Sequence, residues 1–379
     1  MVHDILIIGA GIAGASLAWR LSAGKKVMVL EREAQPGYHS TGRSAALFLE
    51  MYGTPTGRAL TIAGWDFYQN PPAGFCDGPI LTPRGMLFVG GPDDLSAMER
   101  DFQAFRAQDI DVRWLDGQQA QALVPCLRGD LIAAAIHDPN ACDIDVHGLH
   151  QAYLRGMRRQ GAALRLNADV VSARRDEDGL WTVQLEGEEA VLRARTLVNA
   201  AGAWADDVAQ RCGVAALGIQ PFRRSAFLFS PPEGVDHTGW PAVLAFDNSY
   251  YFKPDAGMML GSPSNTDPVE PHDVVAEELD IAIGIHNIEA MTTLKIRRPS
   301  HVWAGLRNFA PDKEMVIGWD ADVPGFFWLA GQGGYGIQTS AGVSLFAASL
   351  VEGRALPDSL VRLGVDPAVM DPARFQIKP

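Results

Sequence analysis

The apolar run Ile5-Leu6-Ile7-Ile8 passes directly into Gly9-Ala10-Gly11-Ile12-Ala13-Gly14, and that order calls for a strand, a tight turn and a helix. Four apolar residues are too few for a helix of ordinary length, but they suit a parallel strand buried on both faces. Gly9 allows the turn, Gly11 lets a ligand's pyrophosphate approach the backbone, and Gly14 lets the next helix pack closely on the strand. That helix, from Ala13 to about Ser22, follows Ile12 and would turn its free amides toward phosphate charge. A second strand, Val27-Met28-Val29-Leu30, ends on Glu31. This lies roughly 20 residues past the glycines, where a ribose-binding acid belongs. Strand, helix, second strand and acid in that order predict a dinucleotide-binding unit.

A second glycine signature, Gly331-Gln332-Gly333-Gly334-Tyr335-Gly336, follows the apolar run Phe326-Phe327-Trp328-Leu329. A nicotinamide dehydrogenase needs only the first signature, whereas a chain that closes over FAD from both ends needs both. After Glu31 the segment His39-Ser40-Thr41-Gly42-Arg43-Ser44-Ala45-Ala46 is small, polar and rich in donors, with one fixed cation. Such a loop can wrap a pyrophosphate and pass beside an isoalloxazine ring. The helix expected from Ile337 to about Val351 would aim its first amides at the flavin N1–C2=O side, where the reduced ring carries negative charge.

The chain has 379 residues, 47% hydrophobic and 20% charged, so it can bury large cores. Its formal net charge of −13 excludes a polyanion-binding role, because phosphate recognition needs clustered cations and Arg158-Arg159, Arg174-Arg175, Arg223-Arg224 and Arg297-Arg298 are only pairs. No run reaches the roughly 18 apolar residues of a spanning helix. The first strand opens the chain, so no cleaved signal is expected. Cys76, Cys126, Cys142 and Cys212 show neither a CxxC pair nor metal-ligand spacing, as reduced residues of a cytoplasmic protein would, with a peripheral place at the inner membrane face left open. His147 and His150 lack a third ligand and read as a helix-surface pair, so no metal is expected.

Between the signatures the pattern alternates. Strand-like segments at Met86–Val89, Leu164–Arg174, Trp181–Leu185, Val191–Arg193 and Thr196–Asn199 mix with helices near Leu95–Gln108, Val146–Gln160 (capped by Asp143 or Asp145) and from Ala203. Segments Ser225–Phe229, Ala242–Phe246, Tyr250–Lys253 and Met258–Gly261 look antiparallel, interrupted by a helix over about Ala276–Met291. The fold class expected is α/β: a Rossmann-type FAD-binding domain with an inserted α+β substrate domain on a mixed, largely antiparallel sheet. Residues 1–78, 143–220 and 303–379 would form the first domain, and 79–142 and 221–302 the second.

These residues resemble the FAD-dependent amine oxidoreductases of the D-amino-acid oxidase, glycine oxidase and sarcosine oxidase type. The likeness rests on Gly9 to Gly14 with Glu31, the loop Ser40 to Ser44, Asn199-Ala200-Ala201-Gly202-Ala203-Trp204, and Gly333-Gly334-Tyr335-Gly336-Ile337-Gln338-Thr339. Segments 36–46, 223–227, 253–257 and 303–307 are more similar still to bacterial D-arginine dehydrogenase-like proteins. The resemblance implies non-covalent FAD, since no cysteine follows Cys212. It implies cofactor contacts from Gly9, Gly11, Ile12, Ala13, Gly14, Glu31, Arg32, residues 39–46, Val170, Ala201, Gly202, Trp204, Gly333, Gly334, Tyr335, Gly336, Ile337 and Gln338. A substrate carboxylate would be held by Arg307 with the Tyr251 hydroxyl, and Tyr52 and Arg224 would face the same pocket. Physics agrees for Arg307: a guanidinium grips a carboxylate with two parallel bonds, and an unpaired cation among Trp303-Ala304-Gly305-Leu306 would be costly. Neighbours on a strand face opposite ways, so only one of Arg223 and Arg224 can face the pocket, and Arg224 is the choice.

Two departures bear on specificity. Arginine-preferring relatives carry a carboxylate where this chain has Gly85 or Met86, and a histidine where it has Leu47. Both changes favour an uncharged, apolar D-amino acid, oxidised to a 2-oxo acid and ammonia by hydride transfer from Cα to flavin N5, a step of amino-acid catabolism. Oxygen or a quinone-type carrier would reoxidise the flavin. Oxidation of glycine, sarcosine or a 2-hydroxy acid, and a non-catalytic FAD-binding role, are the alternatives. A hydrolase is disfavoured, because Gly42 to Ala46 only half matches a nucleophile elbow.

Overall fold

The computed structural model describes residues 1–375. Strand Val2–Ile8 pairs in parallel with Val27–Leu30 on one side and Leu192–Asn199 on the other. Ala163–Arg165 extends the parallel array beyond the first neighbour, and Phe326–Ala330 beyond the second. The hairpin Val170–Arg175/Trp181–Leu185 and the antiparallel strand Val316–Trp319 complete eight strands. Successive strand residues point to opposite faces, so Ile5 and Ile7 enter one core while Leu6 and Ile8 enter another. Helices Ile12–Leu21, Val146–Arg159 and Gly336–Val351 supply Leu17, Leu149, Tyr153 and Phe346 to the first core. Helix Ala205–Arg211 with Trp181 and Trp328 fills the second. A parallel sheet covered on both faces is the doubly wound arrangement expected.

Three local expectations are corrected. The separate strands at 191–193 and 196–199 form one strand, Leu192–Asn199, because its first part pairs with Trp181–Leu185 and its second with Phe326–Ala330. The single segment 164–174 is two strands, broken by a turn through Asn167 at φ 51°. The helix after Asn199 starts as a 3-10 turn at Gly202–Trp204 and becomes α-helical at Ala205.

The second sheet has nine strands and is antiparallel except where Ala242–Ala245 runs parallel to Met86–Gly90. Its edge strand His301–Phe309 pairs with Gln220–Phe229 along its whole length. The boundary expected between 302 and 303 therefore falls inside a strand. Residues 303–309 belong with the second sheet because their ladder partners are there, and the last four residues of the expected 303–379 segment lie outside the described residues. A small ribbon of Leu47–Phe48, Leu81–Pro83 and Cys142–Ile144 lies where the chain crosses between the two sheets.

Register decides what the second sheet presents. Phe222 opposes Arg307, Arg224 opposes Gly305, Ala242 opposes Met86, and Leu244 opposes Tyr251. Directly opposed residues share a face, so Arg307, Arg224, Ala226, Tyr251, Leu244, Ala242 and Met86 all look into one cleft, toward the glycine turns. Helix Glu278–Met291 packs on the other face against Phe227 and Met259.

Candidate active site

At one end of the cleft the first glycine turn is tight enough to exclude side chains. A Cβ on Gly9, whose φ is 102°, would lie 2.4 Å from the Ala200 carbonyl oxygen, and one on Gly14 would lie 2.0 Å from the Gly9 oxygen. Glu31 is fixed beside it: Oε2 accepts from the Ala10 N–H at 2.9 Å and Oε1 from the Glu33 N–H at 3.1 Å. Thr41 Oγ1 accepts from the Ile12 N–H at 3.0 Å, tying the loop to the helix start. His150 Nε2 lies 2.8 Å from the Ala10 oxygen. A carbonyl can only accept, so Nε2 carries the proton, and burial lowers this ring's pKa toward the neutral form. The surface pair expected of His147 and His150 is thus corrected: His150 is buried under the turn, because its helix packs directly on that turn.

The loop after Glu31 lines the cleft. Ser40 Oγ donates to the Leu306 carbonyl at 2.7 Å. Arg43 pairs with Asp273 and donates to the carbonyls of Val274 at 2.8 Å and Ala304 at 3.2 Å. Its guanidinium is committed to the strap over residues 273–274, which corrects the expectation of a fixed cation for the pyrophosphate. Arg43 still lines the cleft, whereas Gly42 does not: a Cβ on Gly42 would meet the Gly37 oxygen at 2.6 Å, so it shapes the loop, as Gly14 shapes the turn. His39 pairs with Glu33 at 2.9 Å and packs tilted against Trp204, over which Arg32 also lies, its Cζ 3.9 Å from the ring centroid. Arg32, Thr41, Ser44, Ala45, Ala46, Val170, Ala201, Gly202 and Trp204 all line the cleft.

The second glycine signature closes the other end. Helix Gly336–Val351 begins at Tyr335 with no side-chain cap, so its first turn faces the cleft through Gly336 and Ile337. Gln338 is spent internally, bonding both backbone groups of Leu49 and the Thr61 hydroxyl. The Gly333 N–H donates to the Asn308 carbonyl at 2.9 Å. A Cβ on Gly334 would sit 2.9 Å from Arg307 Cζ, so only glycine lets this guanidinium lie against the backbone.

Around Arg307 the cleft carries two cations. Arg307 Nη1 donates to the Tyr52 hydroxyl at 3.1 Å, and Arg224 Nε donates to the Asn265 carbonyl at 2.8 Å. Neither guanidinium has a carboxylate partner among the described residues, whereas Arg223, on the opposite face, pairs with Asp267, Glu277 and Asp280. The Arg307 charge, with a smaller effect from Arg224, holds the Tyr52 phenol below its ordinary range. Burial, then Arg307, pushes Arg224 down to about 10. Two cations sharing one desolvated corner without an anion form a receptor for one. Beside them Leu49, Met86, Ala242 and Leu244 are buried, with Leu47 and Tyr251 packed against them.

The cleft fits FAD. Besides the glycine cradle and two helix starts whose N-cap residues supply no side-chain cap, Asn308 Oδ1 and Gln332 Nε2 are buried without partners and line its wall. Sequence reasoning missed both, although Asn308 adjoins Arg307 and Gln332 lies inside the second signature. It also missed Ala226, Ala242 and Leu244, which period-2 counting from Arg224 and along 242–246 would have found, and Leu49, which lies outside those stretches. Asp207 and Arg211 line the nucleotide end without a sequence signal. No cluster of metal-ligating side chains occurs among the described residues.

Residues 4–350 match the DAO family of FAD dependent oxidoreductases, and the chain belongs to that family. It is 24% identical to the hydrogen cyanide synthase subunit HcnC of Pseudomonas aeruginosa over 100% of this chain and 97% of that one. The fold is shared with L-proline dehydrogenase from P. horikoshii (TM-score 0.84, 20% identity, covering 99% and 98% of the two chains). It is shared as well with glycine oxidase from Geobacillus kaustophilus (TM-score 0.82, 20% identity, covering 96% and 98%). FAD is therefore the cofactor, and the chain is an FAD-dependent oxidoreductase.

Proposed function

We propose that this enzyme oxidatively deaminates D-amino acids with uncharged, apolar side chains to 2-oxo acids and ammonia. The observation that carries the reading is one pocket wall with two parts: two guanidiniums and two tyrosines at one side, only aliphatic and thioether side chains at the other. Arg307 takes the substrate carboxylate in a two-bond grip, Arg224 adds the second positive charge, and Tyr52 and Tyr251 supply hydroxyls beside it. Leu47, Leu49, Met86, Ala242 and Leu244 receive the side chain and exclude water. Bound FAD supplies the hydride acceptor, non-covalently held. Fixing carboxylate and side chain at separate points leaves Cα only one orientation in the cleft, which is what the chain itself contributes to rate. Glu31, Asp169 and Asp207 line the nucleotide end, and among the described residues no acid or imidazole lines the substrate wall, so the ammonium proton leaves to solvent. The imino acid then takes up water and releases ammonia.

The names of the structural relatives, a glycine oxidase and an L-proline dehydrogenase, support an amino-acid substrate. The D configuration rests on the resemblance of segments 36–46, 223–227, 253–257 and 303–307. Anaerobic bleaching of the yellow holoenzyme tests the reading. D-leucine, D-methionine and D-phenylalanine should reduce the flavin faster than D-arginine, glycine, sarcosine or the L enantiomers. A preference for D-arginine, or for glycine and sarcosine alone, would overturn it.

A further inference from the structure

Away from the cleft, helix Glu278–Met291 turns an aliphatic stripe outward. Val275 is 71% exposed and Leu279 67%, more than any other large hydrophobic among the described residues except Met1. Ile283 continues the stripe at 44%; Leu279 and Ile283, four apart, lie on one side of the helix, and Val275 stands in the chain that leads into it. Val302 joins them at 46%. It opposes Phe227 in the sheet ladder, and the Phe227 ring touches the helix at Gly284, so Val302 points to the helix side.

The chain leaving this helix runs back beside it. Leu294 and Ile296 are buried in the same core as Ile281 and Ile288, and the Ile296 N–H donates to Glu289. Alternation then puts Lys295 and Arg297 outward, followed by exposed Arg298. No ion pair engages any of the three among the described residues, in a protein of net charge −13. The nearby carboxylates are mostly spent: Glu277 and Asp280 pair with Arg223, Glu289 holds the Ile296 amide, and Asp273 holds Arg43. Glu278 stands exposed and without an ion pair at the helix start, beside the exposed but paired Glu277.

We infer that this helix and its flanking cations form a docking face for an anionic lipid bilayer. An aliphatic stripe edged by Lys and Arg is the chemistry of a segment lying in a membrane interface. No described helix is long and apolar enough to cross a bilayer, so the contact is superficial. The inference is independent of which substrate the cleft takes.

Vesicle co-sedimentation of the FAD-loaded protein tests it. Phosphatidylglycerol-rich vesicles should carry the protein down, pure phosphatidylcholine should not, and salt should weaken the binding. Each surface cation is worth about fivefold in partitioning, so Lys295→Glu with Arg297→Glu and Arg298→Glu should lower binding at least tenfold. Leu279→Glu with Ile283→Glu should do the same, with turnover on a soluble dye unchanged. If the helix pair of substitutions costs the protein its FAD, the exposed cation variant decides alone. No binding by the parent protein, binding retained by the cation variant, or a dimer in solution that Leu279→Glu splits would each overturn the inference.

Discussion

The Tyr52 hydroxyl accepts the hydrogen bond of Arg307 Nη1 at 3.1 Å across the seam between the cofactor loop and the second sheet. Removing that oxygen leaves a desolvated guanidinium short of one acceptor. A hydrogen bond to a charged group contributes about 1.5–3 kcal/mol, so Tyr52→Phe should raise KM for the amino acid at least tenfold. Arg307→Ala should raise it by orders of magnitude while flavin absorbance stays with the protein through gel filtration. Steady-state kinetics on both variants checks this, and unchanged KM in Arg307→Ala removes the carboxylate assignment.

Arg224 gives the site an alkaline limit. Its guanidinium is pushed down to about 10, first by burial and then by Arg307. The charged form attracts the carboxylate and the neutral form does not, so affinity is intact below that value and falls as pH rises through it. Binding of a carboxylate without an amine, followed through flavin absorbance, isolates this group from the substrate's own titration. The dissociation constant should climb about fourfold by pH about 10.5 in the parent protein, and Arg224→Gln should climb less over the same range.

The wall opposite the arginines sets specificity. Met86 is 2% exposed and shares its sheet face with Ala242 and Leu244. A carboxylate there would meet an apolar substrate unfavourably and a cationic one favourably. Met86→Glu should therefore lower kcat/KM for D-leucine by about a hundredfold and raise it for D-arginine, since a desolvated charge pair is worth roughly 2–3 kcal/mol. Paired turnover measurements check the inversion, and equal losses on both substrates would place Met86 away from the substrate side chain.

What was legible in the sequence was local. Strand, turn and helix around Gly9 to Gly14 involve neighbours along the chain, so residue type alone dictates them. The choice of Arg224 over Arg223 needed only strand alternation. Arg307 was identifiable as a buried cation, but its place in the second sheet depends on pairing with Phe222, far back in the chain. Arg43 looked equally available because nothing near it in sequence shows that Asp273 will fold over it. His150 failed for the same reason: helical periodicity gives a face, and packing against Ala10 decides whether that face is wet.

The Arg43–Asp273 pair holds a strap across the cofactor loop, with Tyr38 also donating to Asp273. If Arg43 served the pyrophosphate directly, Arg43→Ala would weaken FAD and Asp273→Ala would not. Because the guanidinium is committed to the strap, both variants should lower Tm by similar amounts, and the double variant by little more than either. Thermal melts of the three holoproteins, with FAD release followed by fluorescence, check this.

Asp138 lies 3% exposed on the strand beside Met86, and burial pushes its carboxyl up to about 6 from an ordinary 3.8. Below the ordinary value both folded and unfolded chains hold the proton. Between roughly 4 and 6 the folded protein keeps a proton that the unfolded chain has lost, so stability falls as pH rises through this window. Above about 6 the loss is complete, at about 2–3 kcal/mol for two pKa units. Asp138→Asn removes the titration, and its amide oxygen can still accept from the Asn140 N–H that now binds Oδ1 at 2.9 Å. The variant should melt a few degrees higher than the parent at pH about 7.5 and lose that advantage near pH 4. Melting curves across this range check the slope, and a variant less stable at neutral pH would mean that the buried carboxylate has a cationic partner in solution.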